Sequence, residues 1–169
     1  MIGDPVLRAR AHDVTDVDGA LVRLSDEMFK TMYEAAGIGL AAPQVGVQQR
    51  FFVYDHGEAG GVILNPEIAE SDGEWAFDEG CLSVPELSFE IVRPKQIHLV
   101  GIDLEGNEVS IEADELEARL FQHELDHLDG VLIVDHLDED QLREAKRFLR
   151  ERTLAAEMPG PSGGGLRLS

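Results

Sequence analysis

Residues 122–127 read Gln-His-Glu-Leu-Asp-His. Two imidazoles four positions apart, with a carboxylate beside the first, make chemical sense on a helix, where i and i+4 share a face and can grip one ion. Glu124 would then stand close enough to take a proton from a water that the ion activates, which predicts hydrolysis. The chain's only cysteine, Cys81, lies upstream within Glu-Gly-Cys-Leu-Ser and offers a thiolate to the same ion. Each part has a plainer structural alternative. A lone histidine on an apolar stripe is more often a hydrogen-bonded core residue, and a single buried cysteine more often a small hydrophobe.

These residues need a helix to place them, and the local pattern supplies one. Asp114-Glu115-Leu116-Glu117 resembles a capping-box start, and Gly130 supplies a stop. At about 100° per residue, Leu116, Leu120, His123 and His127 fall within about 60° of arc, with Glu124 about 60° beyond His127. The histidines therefore continue an apolar stripe and face the core, where an ion's field is less screened. A third segment, Gly37-Ile38-Gly39-Leu40-Ala41-Ala42-Pro43-Gln44-Val45-Gly46, follows an amphipathic helix with Leu21, Leu24, Met28, Met32 and Ala35 on one side and Gly37 as its C-cap. Its small residues let backbone approach a ligand closely, and Gln44 adds a neutral amide donor. A phosphate loop is excluded: the third glycine and a Gly-Lys-Ser/Thr are missing, and the segment follows a helix instead of a strand. A simple helix-terminating turn is the structural alternative here.

Together the three segments resemble the peptide deformylase family. Gly37, Gly39, Ala41, Ala42 and Gln44 match its G-x-G-x-A-A-x-Q motif, Glu79 through Ser83 match E-G-C-L-S, and Gln122 through His127 match Q-H-E-x-D-H. Asp4-Pro5-Val6-Leu7-Arg8 and His127-Leu128-Asp129-Gly130 are also similar to bacterial members, so the likeness covers roughly residues 3 to 150. Relatives usually carry several more residues before Asp4, which implies a start further upstream.

The resemblance implies that Cys81, His123 and His127 are metal ligands and that Glu124 is the general base. The reaction implied is removal of the formyl group from an N-terminal formyl-methionine, releasing formate. The ion, the Gln44 amide and the Leu82 backbone N–H would receive the oxyanion. Ile38, Gly39, Glu79 and Gly80 match positions bordering the substrate, and Leu116, Arg119 and Leu120 lie near the methionine pocket. Arg93 would meet the peptide backbone or a rim acid, with a surface salt bridge as its structural alternative. Thiolate plus two imidazoles is acceptable to zinc and other first-row ions. The resemblance implies Fe(II) physiologically, with zinc, nickel or cobalt replacing it in preparations.

A chain of 169 residues predicts one domain, here residues 1–157, followed by a flexible tail at 158–169 rich in Gly, Pro and Ser. No apolar run approaches the ~20 residues needed to cross a bilayer, and no signal-peptide pattern opens the chain. One cysteine cannot form an internal disulfide, so a reducing cytoplasm is expected. The 34 acidic residues against 14 Lys and Arg, a net charge of −20, argue against DNA binding over most of the surface. One local exception is Arg143, Lys146, Arg147 and Arg150, within about 100° of arc on the last helix and opposite Leu142, Ala145, Phe148 and Leu149. They form either a solvated face or a contact for the ribosome, since the resemblance implies action on emerging chains.

The pattern of helix, strands, then helix predicts an α+β fold, with antiparallel or mixed sheets packed around the central metal-binding helix and a helix at the C-terminus. Strand-like runs occur at Arg50–Tyr54, Gly61–Leu64, Ser88–Val92, Gln96–Ile102 and Glu108–Glu112, with a turn at Leu104-Glu105-Gly106-Asn107. Two other functions compete. An H-E-x-x-H metallopeptidase would need a third ligand where Ile133 stands, or a different set completed by a downstream glutamate such as Glu144, though Asp138-Glu139-Asp140 reads as a solvated helix start. An inactive or structural metal module would need a fourth protein ligand, and no second cysteine exists.

Overall fold

The computed structural model describes residues 8–81 and 84–155. Helix α1 (Gly19–Glu34) starts where the Asp18 carboxylate accepts the Leu21 N–H at 2.9 Å, and it buries Leu21, Met28 and Met32. It ends differently from the expectation. The Gly37 N–H returns to the Met32 carbonyl and the Ala36 N–H to that of Tyr33, so the left-handed position falls on Ala36 (φ 55°), not on Gly37. The chain accepts a non-glycine there because both closing bonds form.

Among the described residues seven strands follow: β1 (Gly39–Ala41), β2 (Phe51–Asp55), β3 (Gly60–Asp72), β4 (Trp75–Cys81), β5 (Val84–Arg93), β6 (Gln96–Ile102) and β7 (Glu108–Asp114). Five form one sheet in the order β1-β2-β3-β6-β7, and β4 and β5 pair as a separate hairpin. Every ladder among the described residues is antiparallel; an isolated parallel bridge joins His12 to Gln49. The chain thus leaves the large sheet after β3, folds the hairpin, and returns as β6. Strands β1 and β4 were not among the expected runs, and β3 continues past the Asn65-Pro66 pair that marked its expected end. A register shift between Leu64 and Glu67 accommodates the proline. Asn65 (φ 50°) is held there by donating to the Val14 carbonyl and accepting the Val14 N–H.

Helix α2 (Glu115–Asp129) grows directly out of β7. Asp114 stays in register with Gln96 and its side chain makes no cap bond, so the expected capping box does not form. The Glu115 N–H instead donates to the Lys95 carbonyl at 2.8 Å. At the other end Gly130 (φ 74°) is the stop, and a Cβ there would collide with the Arg8 carbonyl. Between its ends α2 buries Ala118, Leu120, Phe121 and Leu128 together with Arg119, Gln122, His123, Glu124 and His127. Phe121 docks it on β2, edge-to-face with Tyr54 at 4.9 Å and against Phe52 at 5.8 Å. Buried polar groups cost stability unless they are partnered, so the fold must supply partners for those five.

A 3-10 turn at Ile133–His136 leads to helix α3 (Glu139–Ala155). Asp138 and Gln141 cap it reciprocally, each side chain accepting the other's backbone N–H. Ala145 and Ile133 pack with Phe89 and Ile91, fixing α3 and the turn to the β4–β5 hairpin. The segment 158–169, expected to be a flexible tail, lies outside the described residues.

Candidate metal centre

The Nε2 atoms of His123 and His127 lie 3.2 Å apart, with their rings inclined at 73° and both side chains buried. Two imidazole nitrogens each about 2.05 Å from a tetrahedral ion are separated by about 3.3 Å, so this pair fits a shared ion. Glu79 supports the fit. Its Oε1 sits 3.0 Å from His123 Nδ1 at the foot of the ring. Burial alone would raise the Glu79 carboxyl, but hydrogen bonds from His123 and Arg93 outweigh it and hold the pKa at about 2. An ionised carboxylate only accepts, so the proton belongs on Nδ1 and the Nε2 lone pair is left for an ion.

Glu79 is fully buried and anchors a larger cluster. Arg93 places Nε 2.7 Å from Glu79 Oε2 and Nη2 3.0 Å from Oε1, a forked pair, while Nη1 reaches Asp126 Oδ2 at 2.8 Å. Arg119 bonds Glu79, the Ile91 carbonyl and the Trp75 carbonyl, with its guanidinium 5.3 Å from the Trp75 ring and 5.7 Å from Phe77. Asp126 also accepts from His136 Nε2 at 2.7 Å. Burial pushes the Asp126 carboxyl up, but bonding from His136 and the charge of Arg93 bring it below its usual value.

These contacts bear on three expectations. Glu79 was expected to border the substrate, Arg119 to lie near the methionine pocket, and Arg93 to meet the peptide backbone or a rim acid, with a surface salt bridge as its alternative. All three are buried in one ion-pair cluster beneath His123, and Arg93 is only 6% exposed. The physical reason is mutual neutralisation: two guanidinium groups and two carboxylates leave water together only as partners. Asp126 and His136 were not singled out at all. Asp126 stands within the histidine motif, where its charge was a usable signal, whereas nothing local marks His136.

The other expected residues surround the histidine pair. Glu124 is fully buried and lies against Gly39, where an added Cβ would come within 2.6 Å of Leu120 Cδ1 and 2.8 Å of Glu124 Oε1. A larger residue at position 39 would force the Leu120 and Glu124 side chains to shift. Ile38 and Leu116 are half-buried, and Leu120 is enclosed in the core behind Gly39. Gln44, in the 3-10 turn Ala42–Val45, accepts the Ala41 N–H on Oε1 at 2.9 Å, which turns its NH2 away from that contact. Gln122 donates to the Pro94 and Ala118 carbonyls and ties α2 to the β5–β6 turn. Gly80 precedes Cys81 at the tip of the hairpin, where Cys81 closes the ladder opposite Val84. Leu82 and the Cys81 side chain lie outside the described residues.

The family model described as polypeptide deformylase matches residues 1–143. The chain belongs to this family. Peptide deformylases of Thermotoga neapolitana and Acidothermus cellulolyticus are 47% and 45% identical over 155 and 157 residues, covering 91% and 93% of this chain and 92% and 87% of theirs. The crystal structure of a peptide deformylase from Legionella pneumophila is similar at a TM-score of 0.85 and 39% identity, covering 94% of this chain and 95% of that one. That from Thermus thermophilus also reaches 0.85 at 39% identity, covering 91% and 93%. Deformylases are metalloenzymes that remove the N-formyl group from the terminal methionine of nascent polypeptides. The metallopeptidase alternative is not favoured: Ile133, where its third ligand would stand, is a core residue. Among the described residues no helix is long and apolar enough to cross a membrane.

Proposed function

We propose that Cys81, His123 and His127 hold one divalent ion in a catalytic domain spanning residues 1–157, and that Glu124 is the general base of deformylation. The observation that carries this reading is the pair of imidazole nitrogens 3.2 Å apart, with Glu79 setting the tautomer of the first. When bound, the ion polarises the formyl carbonyl as a Lewis acid and makes a water more acidic. Glu124 takes the proton of the attacking water and returns it to the leaving amine, so that formate and a free N-terminus result. The Gln44 NH2 donates to the oxygen on which charge develops, its orientation fixed through Ala41, and the Leu82 N–H is the second donor. The extended peptide runs along β1, which is an edge strand of its sheet. Ile38, Gly39 and Gly80 border it, and Leu116 lies on the side of the methionine side chain, with Leu120 behind Gly39.

The donor set accepts several ions, and the family likeness favours Fe(II) in a reducing cytoplasm, with zinc, nickel or cobalt as substitutes. Protein purified without oxygen is expected to release formate from formyl-Met-Ala-Ser, to lose at least about 100-fold of that rate on chelation, and to regain it with added Fe(II). Undiminished turnover by metal-free protein would overturn the reading.

On α3, Arg143, Lys146, Arg147 and Arg150 line one groove together with Asp140 and Glu144. Arg143 pairs with Asp140 at 2.6 Å and Arg147 with Glu151 at 3.8 Å, all highly exposed and so weakly held. This face is the proposed ribosome contact. Charge reversal at Arg143, Arg147 and Arg150 is expected to weaken ribosome binding in a sedimentation assay and to leave turnover of a short formyl-peptide unchanged. Unaltered sedimentation removes the proposal.

A further inference from the structure

The ion-pair cluster does not stop beneath the histidines; it reaches the surface. From His123 Nδ1 the path runs 3.0 Å to Glu79, 2.7 Å on to Arg93 Nε, 2.8 Å from Arg93 Nη1 to Asp126 Oδ2, and 2.7 Å to His136 Nε2. Only its outer end meets solvent: the His136 and Asp126 side chains are 29% and 23% exposed, against 5% for Arg93 and 0% for Glu79. The path joins α2, β4, β5 and the 3-10 turn, and Arg119 adds a second buried link from α2 to Glu79 on β4 and to the Ile91 carbonyl on β5.

We propose that His136 is a positioning residue for His123, acting through Asp126, Arg93 and Glu79. The inference rests on His123 being a metal ligand. His136 Nε2–H and Arg93 Nη1–H donate to the same oxygen of Asp126, so His136 fixes where that oxygen stands. Arg93 Nη1 follows the oxygen, and because a guanidinium is planar, the fork of Nε and Nη2 on Glu79 turns with it. Glu79 in turn sets the plane of the His123 ring. The turn is itself anchored: Asp135 accepts the Leu132 N–H at 2.9 Å and the Arg8 guanidinium at 2.6 Å, while Ile133 is packed in the core. His136 is therefore a fixed post, unlike an exposed side chain that pairs when convenient.

The ion's rate of escape tests this. Protein loaded with Co(II) is placed in excess chelator and the loss of its visible absorption is followed for wild type, His136→Ala, His136→Phe and His136→Gln. Losing the direct partner of a metal-bound histidine costs about 10–100-fold in affinity, so a post further out is expected to speed release by about 3–10-fold in the Ala and Phe variants. Gln retains an N–H donor and is expected to restore release to within about 2-fold of wild type. His136→Phe keeps the ring volume, which protects the comparison against loss of packing. A lowered melting temperature of the metal-free variants with unchanged release would mean a merely structural pair, and overturns the proposal. His123→Ala separates the two readings. If it loses cobalt at once while the His136 variants match wild type, only this inference fails. If it retains cobalt as wild type does, the ligand assignment fails and the inference with it.

Discussion

Glu124→Gln is expected to lower the rate constant for formate release by about 10²–10⁴-fold, the span that a positioned general base contributes, with the metal retained. The substitution is isosteric, which matters where Glu124 is fully buried and packed close to Gly39. The amide occupies the same volume but has no basic oxygen with which to take up and return a proton. Because the proposed mechanism routes both proton transfers through that one carboxylate, kcat is expected to fall with little change in KM. Metal analysis beside a single-turnover assay checks this. A variant that retains its ion and turns over at the wild-type rate assigns the base elsewhere.

The second large effect is on stability. Glu79→Gln leaves Arg93 and Arg119 buried with Asp126 as the remaining carboxylate, and breaking a buried ion pair from one side costs about 3–5 kcal/mol. That is a large share of the 5–15 kcal/mol by which a domain is usually stable. The pH dependence follows from the carboxyl itself. Its value in the folded protein, about 2, lies below the ordinary 4.5, so its contribution is fully present above pH 4.5 and is lost as pH falls toward 2. At 1.36 kcal/mol per unit the difference is about 3 kcal/mol. Urea unfolding of metal-free wild type and Glu79→Gln is therefore expected to show a wide gap at pH 6 that narrows at pH 3. A gap that stays constant between those values would mean that the Glu79 charge is not what holds the cluster.

The features legible in the amino-acid order are those whose partners lie within one or two helical turns. His123, Glu124 and His127 share a helix, and Gly130 stops it where expected, because periodicity and capping are local properties. Strand β6 was readable for the same reason. Strand β1 was not, since Gly39-Leu40-Ala41 has little intrinsic preference for an extended form and becomes a strand because β2 offers a ladder. Strand β4 carried a usable sign that went unread, with Trp75, Phe77 and Glu79 alternating with exposed Ala76 and Asp78. The roles of Glu79, Arg93 and Arg119 were hidden more deeply. A charged side chain reads as solvent-facing until its neutralising partner is known, and here the partners come from three different elements.

The excursion of the chain between β3 and β6 has a consequence for the order of folding. Glu79 and His123 are 44 positions apart, and Arg93 and Asp126 are 33 apart, so the cluster closes long loops. The β2–β3 and β4–β5 hairpins can form on contacts close in the chain, whereas the cluster waits until the returning chain has laid α2 against the hairpin. Metal binding through the proposed ligands is thus expected of the finished molecule alone, since a partly folded chain presents the histidine pair without the carboxylate beside His123.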